Sequence, residues 1–211
     1  MTTHQEIIAA LKRRYAVNAF DLSKKVSDED LRTILESGIL APSSFGLEPW
    51  KFVVVTDPEV RLKLRQVGFD QAKIVEASHL VVIAQRTDAE ALVAERAARL
   101  AAATGKPAEA FDGFVRMAGG AVAGRPEDAR QSWLKAQCYI PLGIMVETAS
   151  LLGVDSAPME GFMPDQVDVI LGLKAKNLTA ATFLALGYRA ESAMTTPPKG
   201  RRPYEEAVET A

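Results

Sequence analysis

One cysteine, two histidines and no long apolar run remove several classes of protein at once. Cys138 alone supports neither a disulfide framework nor a cysteine metal cluster. His4 and His79 stand far apart with no carboxylate or cysteine pattern around either, so no metal site is expected. The longest apolar stretches, Leu80 to Ala84 and Tyr139 to Val146, are too short to span a bilayer as helices. Neither sign of charge dominates. The net charge is −2, which argues against a nucleic-acid-binding surface. No Gly-x-Gly-x-x-Gly or Gly-Lys-Ser/Thr loop occurs, which speaks against Rossmann and P-loop enzymes. No serine or cysteine nucleophile motif is present either. The opening residues Met1 to Glu6 lack a basic segment followed by an apolar one, so a cytoplasmic protein is expected.

What is present suits one folded unit. A chain of 211 residues with 48% hydrophobic and 25% charged residues is long and apolar enough to bury a core. There is no repeat, no low-complexity linker and no compositional break, so residues 1–211 are expected to form a single domain. Helical periodicity predicts helices over Thr2 to Arg13, from Ser27 toward Pro42, from Asp57 to about Val67, and from Asp88 to Gly105. Further helices are predicted from Pro126 to Gly153 and from Pro164 to Leu171. Phe52 to Thr56, Leu80 to Ala84, Val154 to Ala157 and Ala180 to Gly187 read as buried strands. The stretch from Ala108 to Gly124 is weakly patterned, and residues 88–125 read as an excursion from the core. The long helix after Pro126 has apolar residues all round it, which implies burial on more than one side, and a partner subunit could supply the second side. Pro141 inside it removes a backbone bond. The order of elements gives a central sheet with helices on both faces, an α+β arrangement whose strand order the pattern leaves open.

Several short stretches admit two readings. Arg14 closes a helix, where a cation suits the macrodipole, and Lys199 and Arg201 lie in a proline-flanked tail. A capping residue and a solvated tail explain them without function. Alternatively, both ends of the chain converge on a phosphate, for which guanidinium and ammonium groups are the usual donors. Pro42-Ser43-Ser44 is ordinary turn chemistry at a helix end, and Pro158-Met159-Glu160-Gly161 is an ordinary turn after a strand.

Taken together and in order, four motifs point further. Arg13-Arg14-Tyr15-Ala16-Val17-Asn18-Ala19-Phe20 is followed by Ala41-Pro42-Ser43-Ser44-Phe45-Gly46-Leu47-Glu48-Pro49-Trp50. Ala157-Pro158-Met159-Glu160-Gly161-Phe162 comes next, and Pro197-Pro198-Lys199-Gly200-Arg201-Arg202 closes the series. The chain resembles the FMN-dependent nitroreductase family, specifically its oxygen-insensitive NAD(P)H nitroreductase branch, over nearly its whole length. That resemblance implies a mostly antiparallel sheet in an obligate homodimer, with FMN as cofactor and NADH or NADPH as reductant. It also implies a small-molecule electron acceptor of the nitroaromatic or quinone type, with enoate, pteridine or azo reduction, or flavin binding without turnover, as alternatives.

The same resemblance places the FMN phosphate against Arg14, Lys199 and Arg201, with Tyr15 and Ala16 where relatives carry His or Arg followed by Ser. It lays Pro42, Ser43, Ser44 and Gly46 along the flavin ring, Gly46 standing where many relatives have asparagine. Asn18, Asp70 and Lys73 fall at the pyrimidine edge. Relatives commonly have Lys or Arg at position 18 and Asn at 70, so a neutral Asn18 and an acidic Asp70 bear on the redox potential. Pro158, Met159, Glu160 and Gly161 form the turn against the ring, with the Glu160 backbone N–H directed to flavin N5. Glycine next door lets the backbone approach closely. Phe114 aligns loosely with an aromatic that covers the substrate.

Overall fold

The computed structural model describes residues 3–193 and 198–211. Thr2 and Pro197, each part of a feature read from the sequence, lie outside the described residues. The first helix, α1 (His4–Arg13), begins at a capping box in which Thr3 and Glu6 bond each other's backbone. Ser27 caps α2 (Asp28–Ile39), and the edge strand β1 (Trp50–Val55) follows. Asp57 accepts from the N–H groups of Glu59 and Val60 to open α3 (Pro58–Val67), which has proline in its first turn as its sequence predicts. A single turn, α4 (Lys73–Glu76), leads into β2 (His79–Arg86).

The helix α5 (Ala89–Thr104) ends at Gly105, whose φ of 66° is the left-handed value that glycine adopts without strain. The weakly patterned stretch after it is regular. It forms a short 3₁₀ turn and then α6 (Asp112–Ala123). Glycines at 113, 119 and 120 dilute the pattern, and only Ala118 and Val122 of this helix are buried. The remaining elements are α7 (Glu127–Leu151), β3 (Asp155–Met159), α8 (Pro164–Leu171), β4 (Leu178–Gly187) and the short α9 (Tyr204–Ala207).

The four strands form one sheet in the order β1-β2-β4-β3, with every neighbouring pair antiparallel. Alternation along β2 sends Leu80, Val82 and Ala84 to one face and Val81 and Ile83 to the other, as the two-residue period of a strand requires. The first face is covered by Leu64 and Val67 of α3, Ile74 of α4 and Val167 of α8. The second is covered by Ile34 of α2 and by Cys138, Leu142, Met145 and Ala149 of α7. A register shift opposite Ile83 and Ala84 skips Ala181.

A third apolar cluster lies apart from these two. Leu92 and Val93 of α5 and Ala118 and Val122 of α6 meet Leu47 and Leu134, with Phe114 packed alongside. In the single chain α7 buries one stripe, Leu134, Cys138, Pro141, Leu142, Met145 and Ala149, at helical spacing. Ile140 and Leu151, off that stripe, remain exposed. The helix runs through Pro141 as one element of 25 residues.

Asp168 joins α8 to the sheet. It is 1% exposed, and its carboxylate accepts from the Ala180 N–H and the Thr179 hydroxyl, both at 2.7 Å. Asp168→Ala leaves a buried backbone donor without a partner. The variant should lose about 1–3 kcal/mol of unfolding free energy in urea titration, and a change within error would show that α8 docks without this bond.

Candidate functional site

Both ends of the chain meet. Arg14 follows α1 with extended backbone, and its guanidinium shares a surface cleft of about 320 Å³ with Lys199 and Arg201, floored by Ile8 and Leu11. The tail is pinned there, because Lys199 Nζ donates to the Leu11 carbonyl at 2.6 Å and the Arg201 N–H donates to Lys199 O at 2.9 Å. Among the described residues, no carboxylate pairs with Arg14, Lys199 or Arg201 within 4.0 Å. Arg14 Nε is buried with no hydrogen-bond partner. Burial lowers the Arg14 pKa first, and Arg201 lowers it further. Lys199 is also depressed, by burial, then Arg14, Arg201 and Arg189. Cations forced together in this way oppose folding unless an anion joins them.

Around this cleft the chain is firmly held. Arg189 pairs with Asp155, and both side chains are less than 10% exposed. The Arg189 guanidinium lies 4.9 Å from the centre of the Tyr15 ring, and the Tyr15 hydroxyl donates to Ala193 O at 2.5 Å. Ala16 forms a bridge to Ser156 of β3, so residues 14–16 are fixed beside that strand. The strand runs on through Pro158 and Met159, paired with Leu184 and Phe183, so that only Glu160 and Gly161 of the segment read as a turn lie beyond it. Asn18, two residues after Ala16, is exposed.

At the end of β3 a second group assembles. Met159 is buried and receives the Thr182 hydroxyl on its carbonyl at 3.0 Å, while Glu160 is exposed. The Glu160 carboxylate accepts from the Tyr139 hydroxyl of α7. Burial and this partner raise the Tyr139 pKa far above the usual phenol value. Gln71 Nε2 donates to Gly161 O at 2.7 Å and to Gly68 O at 3.0 Å, tying the loop after α3 to the turn. Phe69 and Asp70 in that loop have φ of 54° and 55°, left-handed values for non-glycine residues. Asp70 is paired with Arg65 Nε at 2.7 Å. Lys73 opens α4, and burial lowers its pKa. A Cβ added to Gly161 would stand 3.1 Å from Gln71 Nε2, so the turn has little room for a side chain.

The loop after α2 forms a third group. Ser43 Oγ accepts from the Glu48 N–H and the Ser44 N–H donates to Gln137 Oε1, both at 2.8 Å. Pro42 is exposed. Phe45, Gly46 and Glu48 all have positive φ, at 56°, 64° and 51°. A Cβ at Gly46 would meet Arg96 Nε at 2.9 Å, so a side chain there would have to displace the Arg96 guanidinium. Arg96 and Arg99 of α5 both reach the Glu48 carboxylate at 3.6 Å. Gln137 and Tyr139 lie two residues apart on α7, or roughly 200° around the helix. The 42–48 loop and the 158–161 turn therefore approach α7 from nearly opposite sides. Phe114 stays with the loop, packed in the cluster that contains Leu47.

The structure thus brings Arg14, Lys199 and Arg201 together, and separately ties the loop that holds Asp70 to Gly161 through Gln71, with Lys73 opening the next helix. It does not bring Pro42, Ser43, Ser44, Gly46 and Phe114 to either group within one chain. Arg65, Gln71 and Tyr139 were not singled out from the sequence. Only Arg65 carries a signal there, as a cation five residues before an acid.

The nitroreductase family model, described as "Nitroreductase family", matches residues 11–188. The chain belongs to the nitroreductase family. A Staphylococcus aureus (strain USA300) relative named "Putative NAD(P)H nitroreductase" is 37% identical over 223 residues, covering 98% of this chain and 96% of that one. The solved structure of the Bacillus subtilis nitroreductase-family protein ydfN superposes with a TM-score of 0.88 at 23% identity, covering 99% of this chain and all of that one. The fold is also similar to that of a solved structure from Exiguobacterium sibiricum, described as a "putative nitroreductase in complex with FMN", with a TM-score of 0.83 at 22% identity over 100% of this chain and 98% of that one. The nitroreductases are an oxidoreductase family. Its fold, helices around an antiparallel sheet, is the one found here. No helix among the described residues is long and apolar enough to cross a membrane.

The converging cations yield a test with two signs. Millimolar sulfate, against chloride at equal ionic strength, should raise the melting temperature of the protein. Arg201→Ala should abolish that rise, and without sulfate it should leave the protein as stable or more so, because it relieves repulsion. Since the Lys199 pKa is lowered on folding, the ligand-free fold carries a penalty while Lys199 is charged. That penalty fades as pH rises through the lowered value. The sulfate effect should shrink over the same range. Equal sulfate responses in the wild type and Arg201→Ala would show that no anion binds there.

Proposed function

We propose that this protein is an FMN-dependent NAD(P)H oxidoreductase. The observation that carries the reading is the group of three cations, Arg14, Lys199 and Arg201, one with a buried unpartnered nitrogen and none with a carboxylate partner among the described residues. That donor set fits a phosphate monoester, and the similar fold from Exiguobacterium was solved with FMN. The chemistry that FMN supplies when bound is two-electron transfer from NADH or NADPH to a flat, electron-poor acceptor such as a nitroaromatic or a quinone.

The chain's own residues bind and orient. Arg14, Lys199 and Arg201 hold the phosphate, with residues 15 and 16 fixing Arg14 through their bonds to Ala193 and Ser156. The Pro158–Gly161 turn and the loop with Asp70 and Lys73 face the ring, joined through Gln71. Asn18 lies at the same edge. Glu160 acts through its backbone N–H, because its carboxylate is already engaged by Tyr139. No side chain is required as proton donor, since water serves the acceptor.

Because the 42–48 loop and the 158–161 turn lie on different sides of α7, a second copy of the chain completes the site. Pro42, Ser43, Ser44 and Gly46 of one copy would then meet the ring held by the other, with Phe114 covering the acceptor. Exposed Ile8, Leu11, Ile140 and Leu151 supply apolar surface for such a homodimer. The protein works as a single domain in the cytoplasm.

FMN should bind non-covalently and sediment, by its visible absorbance, at the mass of two chains. Arg201→Ala should weaken FMN binding by about one to two decades, the loss of one charge-assisted contact of about 1.5–3 kcal/mol. Riboflavin, which lacks the phosphate, should be nearly indifferent. Equal losses for both ligands would sink the phosphate assignment.

The turn gives a separate test. Glu160→Gln should retain most of the single-turnover rate of flavin reduction, and Gly161→Val should be impaired because its side chain would crowd Gln71, which ties the turn to the loop after α3. An FMN-loaded Glu160→Gln protein reduced a thousand times more slowly, roughly 4 kcal/mol of barrier, would make the carboxylate a participant.

A further inference from the structure

Asp70 puts a negative charge where the proposed flavin edge would need a positive or neutral one. The structure pairs it. Arg65 Nε donates to Asp70 Oδ1 at 2.7 Å, and the Arg65 carbonyl accepts the N–H groups of Gly68 at 3.1 Å and Asp70 at 3.0 Å. One residue of α3 therefore shapes the left-handed turn through its backbone and meets the acid through its side chain. Arg65 is about one-third exposed and Asp70 largely exposed, so in the free chain the pair is worth little to stability. A bound aromatic ring laid over the loop would remove water from it and strengthen the interaction. Lys73 pairs with no carboxylate among the described residues. With Asp70 neutralised, the loop presents the net positive charge of Lys73.

Building on the FMN reading, we infer that Arg65 is a positioning residue that cancels the charge of Asp70 and so keeps the potential of the bound flavin from falling. Reduction adds negative charge to the flavin, and an uncompensated carboxylate nearby opposes it, while a cation favours it. Charge accounting then fixes four outcomes. Arg65→Gln leaves Asp70 bare and should shift the midpoint potential to more negative values. Asp70→Asn leaves Arg65 bare and should shift it to more positive values. The double variant restores neutrality and should return near the wild type. Arg65→Lys keeps the charge and should also stay near the wild type.

The experiment is a redox titration of FMN-loaded protein for all five proteins, with the FMN dissociation constant measured alongside. Opposite shifts in the single variants, cancelling in the double, support the inference. FMN bound normally with an unchanged or more positive potential in Arg65→Gln would overturn the role of Arg65 and leave the cofactor reading standing. A wild-type protein that takes up no FMN would overturn the cofactor reading and this inference with it. If Arg65→Gln proves too unstable to load, the Asp70→Asn shift decides: a potential that is unmoved or more negative refutes the inference.

Discussion

Both faces of the sheet are covered, and that constraint governs where anything else can happen. With α3, α4 and α8 on one side and α2 and α7 on the other, the strands are buried through their centres. Polar groups that must meet a ligand can come only from strand ends, from loops and from the chain termini. Each candidate group obeys this rule. The cation cleft forms where the segment after α1 meets the C-terminal tail, Glu160 and Gly161 follow the end of β3, and the 42–48 loop joins α2 to β1.

The same constraint explains why the unfavourable features cluster. Repelling cations at 14, 199 and 201 and left-handed non-glycine residues at 45, 48, 69 and 70 all lie outside the sheet core. Each costs stability in the isolated chain, the backbone outliers on the order of 1–3 kcal/mol apiece. They persist because the surroundings over-determine them: Asp155 holds Arg189 under Tyr15, Gln71 bridges two loops, and Arg96 fills the space that a side chain at Gly46 would take.

Much of the fold was legible because local rules and tertiary structure agree. Thr3, Ser27 and Asp57 cap the helices that their sequence announces, and the β-branched runs are strands. The helix α6 was missed because glycines thin its periodicity and its buried face is two residues wide. The strand order and the register shift at Ala181 depend on pairing between distant segments, which no local pattern encodes. At the site, the motifs marked the turn and the cations through resemblance, while composition alone left them as a cap and a tail. Arg65, Gln71 and Tyr139 act by reaching across from neighbouring elements, so their partners become visible only when the chain is folded.

Pro141 has a mechanical consequence. Lacking an N–H, it leaves the carbonyl four residues earlier without its helical donor. That carbonyl belongs to Gln137, whose side chain holds the Ser44 N–H. The missing rung of α7 therefore falls at the residue that grips the strained 42–48 loop. Cys138 before Pro141 and Met145 and Ala149 after it are all buried in the same core cluster, so the helix is held on both sides of the missing bond. The long helix is at once a wall of the core and, at its unbonded rung, the anchor of the loop.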